Sequence, residues 1–70
     1  MRERKISLQL GIKVQRLRKS EGFTQEELAE QIGISRTHMG HIEQGRKSPS
    51  LEIIDKIARK LKVKVSDLFN

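Results

Sequence analysis

The sequence predicts an all-α fold, a compact five-helix domain spanning residues 1–70. Three observations carry this expectation. Apolar residues recur at the three-and-four spacing of a helix in successive stretches. Good helix caps precede several of those stretches, and glycines close the first two. The only alternating stretch, Val63 and Val65 among lysines, is too short for a stable sheet.

The elements can be justified in order. Residues 1–7 are strongly charged and read as a flexible basic arm. From Leu8 to about Glu21, Leu10, Val14 and Leu17 mark the first helix, with Gly22 as its stop. Gly11 inside that pattern costs roughly 1 kcal/mol relative to alanine and blurs where the helix begins. Thr24 with Glu27 three residues later forms a capping box for a second helix, whose apolar face is Leu28, Ala29 and Ile32. Gly33 ends it, Ile34 closes the corner, and Ser35 caps a third helix with Met39 and Ile42 on its inner face. Ala29 is small where the two helices would cross. Residues 24–44 therefore read as a helix-turn-helix, the unit that sets its second helix in the major groove of DNA. Gly45 to Pro49 is a loop. Ser50 caps a fourth helix with a predicted buried stripe of Leu51, Ile54, Ile57, Ala58 and Leu61, and Ser66 opens a last turn carrying Leu68 and Phe69.

Composition narrows the function classes. There is no cysteine, which excludes disulfides and thiolate metal sites, and no apolar run fit to cross a bilayer or serve as a signal peptide. A cytoplasmic location is expected. The net charge of +6 favours a polyanionic partner. Arg2, Arg4, Lys5, Lys13, Arg16, Arg18 and Lys19 crowd the first stretch against Glu3 alone, whereas Glu21, Glu26, Glu27 and Glu30 make the next one acidic. The carboxylates are scattered, and His38 and His41 lack a third metal ligand. Neither an enzyme nor a metal or cofactor site is expected.

A helical wheel drawn from Ser35 places Arg36, Thr37, Gly40, His41 and Gln44 on one arc, opposite Met39 and Ile42. Arg36 near the helix N-terminus can donate to guanine O6 and N7, and Thr37 can offer its methyl to thymine or its hydroxyl to a phosphate. His41 could reach a base or a phosphate. Phosphate contacts are expected from the amides at the start of the helix opened by Thr24, aided by Gln25, and from Gln44, Arg46 and Lys47 at the exit of the recognition helix. Lys13 is a further phosphate candidate. Glu26, Glu27 and Glu30 are expected to point away.

The strings LRKSEGFTQEELAEQIGISRTHMGHIEQGRKSPSLEIIDKIARKLKV and VSDLF resemble the Xre/Cro family of small DNA-binding regulators, whose domains are lambda-repressor-like. The resemblance implies a transcriptional regulator, most simply a dimeric repressor on a pseudo-palindromic operator. It implies that Gln25 touches phosphate and braces the recognition helix, that Arg18 and Glu43 form a partly buried salt bridge, and that Arg36, Thr37 and His41 face base edges. Gly40 departs from the family pattern, where a polar side chain is usual; it either permits close approach to the bases or is neutral. Family members often dimerise after the fourth helix, here through Val63, Val65, Leu68 and Phe69. Phe69 is the first choice for that contact, unless it closes the monomer core. Expected partners are double-stranded DNA, a second copy of the chain, and RNA polymerase or another protein. An antitoxin or interaction adaptor on the same fold is the alternative, since fold does not fix function.

Overall fold

The computed structural model describes the backbone of residues 2–70, and side chains from Lys5 onward. Its elements are α1 (Arg2–Ser20), α2 (Gln25–Ile32), α3 (Arg36–Glu43), α4 (Leu51–Lys60) and a terminal 3-10 helix (Val65–Phe69). No strand occurs among the described residues. α1 packs against α3 and the terminal 3-10 helix, α2 bridges α3 and α4, and α4 also meets the 3-10 helix. The body measures 31 × 24 × 20 Å. None of these helices is long and apolar enough to cross a membrane.

The predicted starts are present in atomic detail. Thr24 Oγ1 accepts from the Glu27 amide at 3.0 Å while Glu27 Oε1 accepts from the Thr24 amide at 2.8 Å, completing the capping box. Ser35 and Ser50 cap α3 and α4 through the amides of His38 and Ile53, at 3.0 and 3.2 Å. The 3-10 helix begins at Val65 rather than Ser66, and its start is tied by Lys64 N–H donating to Asp67 Oδ2 at 2.9 Å.

All four α-helices end in the same way. The amides of Phe23, Ile34, Arg46 and Val63 reach back five residues to the carbonyls of Arg18, Ala29, His41 and Ala58, at 2.9–3.0 Å. This closure needs a left-handed residue just past the helix. Gly22, Gly33 and Gly45 supply it in three cases, and Lys62, at φ 61°, in the fourth.

Where the sequence places a flexible arm at residues 1–7, the backbone from Arg2 onward is continuous with α1. Met1 and the side chains of Arg2 and Arg4 lie outside the described residues. Ser7 is buried, and its hydroxyl shares a 2.7 Å hydrogen bond with that of Ser48, fastening the start of α1 to the loop after α3. Gly11 explains how closely α1 sits there. A Cβ on Gly11 would lie 2.5 Å from the Ile42 carbonyl oxygen and against that of Glu43. The residue that looked like a helix defect is the crossing point of α1 over α3.

The core gathers Leu10 and Val14 of α1, Leu28, Ala29 and Ile32 of α2, Met39 of α3, Ile54, Ile57 and Ala58 of α4, then Leu61 and Leu68. Phe23 and Ile34, each just before a cap, pack on its edge. They hold the staple positions opposite Leu28 and Met39. Two expectations need correction. Leu51 does not continue the buried stripe of α4: it is 81% exposed, because it is the first helical residue after the Ser50 cap and the core stops at Ile54. Leu68 is only 1% exposed and belongs to the monomer core rather than to a dimer surface, whereas Phe69 is 47% exposed.

Candidate nucleic-acid interface

Burial of Met39 and Ile42 fixes which way α3 faces. With those two turned inward, the opposite arc must face outward. Arg36, Thr37, Gly40, His41 and Gln44 accordingly line one shallow concavity, joined by Gln25 from the start of α2 and Arg46 from the loop beyond α3. A Cβ on Gly40 would meet nothing within 4 Å, so the chain itself places no steric demand for glycine at that position.

The back of α3 is held by a polar cluster. Arg18 of α1 donates from Nε to Glu43 Oε2 at 2.6 Å and from Nη2 to Oε1 at 3.1 Å, a two-pronged contact of the kind guanidinium geometry favours. Its Nη1 donates to the Phe23 carbonyl at 2.7 Å. Gln25 Nε2 donates to Glu43 Oε1 at 3.1 Å, so the same carboxylate ties α2 to α3. Arg18 and Glu43 are both buried, and among the described residues no buried side-chain polar atom lacks a partner. Glu43 sits at the C-terminal end of α3, where the helix dipole disfavours a carboxylate; Arg18 offsets that unfavourable charge. The cluster connects three helices and fixes the rotation and depth of α3.

Other expected contact residues are distributed more widely. Thr24 lies in an adjoining concavity with Gln25 and Arg36. Its hydroxyl and its amide are consumed by the capping box, leaving the amides of Gln25 and Glu26 without an acceptor among the described residues. Glu26 lines that same concavity beside Arg36, so it does not point away as its position opposite the Leu28, Ala29 and Ile32 face suggested. Lys47 is exposed in the loop one residue beyond Arg46. Lys13 is not brought to α3; it lines a separate groove with Ile12, Arg16 and Phe69. Of the expected dimer residues, Val63 packs partly on the core and Val65 is exposed. Sequence reasoning missed Gly11 and the Ser7–Ser48 bridge, because both depend on which parts of α1 and α3 meet. The misplaced glycine in α1 was the one available signal.

Residues 14–68 match the family described as Helix-turn-helix. An uncharacterised HTH-type transcriptional regulator of Archaeoglobus fulgidus is 39% identical over 57 residues, 81% of each chain. The restriction-modification controller protein C.AhdI from Aeromonas hydrophila superposes with a TM-score of 0.84 at 34% identity, over 89% of this chain and 94% of that one. SinR, a master regulator for biofilm formation whose structure was solved in complex with DNA, superposes with a TM-score of 0.81 at 29% identity, over 87% and 98%. A recognition helix locked from behind and polar in front, on a fold shared with these proteins, places the chain in the helix-turn-helix family of DNA-binding transcriptional regulators, within the Xre/Cro group its sequence resembles.

Proposed function

We infer that the chain regulates transcription by occupying a pseudo-palindromic operator as a dimer, with α3 in the major groove, and that occupancy rather than catalysis is its output. The observation that carries this is the single concavity holding Arg36, Thr37, Gly40, His41 and Gln44. Arg36 reads guanine, Thr37 and His41 read neighbouring base edges, and Gly40 lets the helix approach closely. Gln25, Gln44, Arg46 and Lys47 hold phosphates on either side, with the free amides at the start of α2 as a further donor set. One such helix reads about three or four base pairs, so useful specificity calls for two copies on half-sites about 34 Å apart. Val65 and Phe69 are the exposed apolar members of the C-terminal segment available for that contact. The controller protein C.AhdI and the DNA-bound SinR support a regulatory reading of this kind.

The test is selection of randomised duplex DNA by the purified protein at fixed salt, followed by sequencing. A two-fold symmetric motif with half-sites one helical turn apart is expected. Retention without a motif, lost as salt rises, would leave only nonspecific attraction and overturn the operator reading.

A further inference from the structure

A second concave surface shares no residue with the one on α3. It lies where α1 meets the terminal 3-10 helix. Leu68 forms its floor, Ile12 and Phe69 its walls, and Lys13 and Arg16 its cationic rim. Ile12 is 52% and Phe69 47% exposed, and the two line the same groove. The groove holds about 220 Å³, against the roughly 150 Å³ that accepts a benzene ring in an apolar cavity.

We propose that this groove docks a partner protein through an acidic segment that inserts one large apolar side chain between Ile12 and Phe69 and sets carboxylates against Lys13 and Arg16. Charge selects this occupant. α1 carries no acidic residue from Lys5 to Ser20. The ion pairs among the described residues are Arg18–Glu43, Lys56–Glu52 and Arg59–Asp55, so Lys13 and Arg16 remain unpaired. A second copy is a poor occupant. A two-fold contact sets the same patch against itself, so the two cations on each side would face a patch that offers them no acidic side chain. A nucleic-acid backbone would engage the cations and leave both apolar walls in water. An acidic segment with an apolar anchor satisfies walls and rim together, the arrangement that concentrates binding energy in one buried side chain inside a polar rim.

The test is display selection of random dodecapeptides on the immobilised full chain, without DNA. Enriched peptides should carry Phe, Leu, Ile or Trp flanked by Asp or Glu. The binding of a synthetic copy should fall by about tenfold or more in Phe69→Ser and in the double variant Lys13→Glu/Arg16→Glu. The charge-reversed double variant should instead retain a copy with Lys in place of the acidic residues. Phe69 and Arg16 are exposed and Lys13 is half-buried, so an unchanged melting curve is required of both variants to verify that they fold. No enrichment, or enriched peptides indifferent to both variants, would overturn the proposal. So would self-association of the wild-type chain by light scattering that Phe69→Ser abolishes, since the groove would then be an interface between copies. None of these readouts depends on whether α3 recognises an operator.

Discussion

Arg18 and Glu43 illustrate what a single side chain contributes here. Replacing Arg18 with Met leaves the Glu43 carboxylate buried with Gln25 as its remaining donor. Loss of one partner from such a pair should cost about 3–5 kcal/mol in urea unfolding, whereas Arg18→Met combined with Glu43→Leu should recover much of that loss. A single-variant cost below about 1 kcal/mol, the range of surface pairs, would contradict the burial assigned to the cluster. Arg36 is the opposite case, with an exposed side chain that makes no ion pair among the described residues. Arg36→Ala should leave the melting temperature unchanged and relax preference at one base pair per half-site by about 1–3 kcal/mol, read from the sequenced selection. An unaltered motif would remove Arg36 from the readout.

At the scale of elements, two positions set propensity against packing. Gly11→Ala should gain about 1 kcal/mol of helix propensity, but its Cβ would strike the backbone of α3 rather than a side chain that could turn aside. Backbone displacement of that sort costs about 1–3 kcal/mol, so a net loss of stability is expected in denaturant titration, and a gain would mean that α1 and α3 are less closely apposed. Lys62 ends α4 in a left-handed conformation that glycine adopts at the three other α-helix ends. Relief of about 1–2 kcal/mol of strain, less the roughly 0.5–1 kcal/mol entropic cost of glycine, predicts that Lys62→Gly stabilises the fold by about 0.5–1 kcal/mol. A lower melting temperature would show that the lysine side chain holds the turn by a contact of its own.

For the whole molecule, what matters is how charge is distributed around one small core. Lys56 and Arg59 are engaged by Glu52 and Asp55 on the exposed face of α4, while Arg36 at the start of α3 and Arg46 and Lys47 beyond its end have no intramolecular ion pairs among the described residues. Lys47→Ala should weaken binding to every duplex alike and lower the slope of log affinity against log salt by about 0.9. A loss confined to one operator sequence would contradict its reading as a phosphate contact.

Most of the fold was legible in the chain because it rests on local chemistry. Caps at Thr24, Ser35 and Ser50, glycines past three helices, and apolar spacing along α2 and α3 act over a few residues. These also fix the outward arc of α3, since turning Met39 and Ile42 inward leaves no other face for Arg36, Thr37 and His41. Contacts between distant segments were legible only in part: the Arg18–Glu43 pair came from family likeness, not from periodicity. Tertiary structure alone decided that Gly11 is a crossing point, that Ser7 is tied to Ser48, that Leu68 is core while Leu51 and Phe69 are not, and that Lys13 belongs with Phe69 instead of α3. The physical reason is the same in each case. Helical period states which face of an element is apolar, but only the packing of one element on another decides where that face stops being covered.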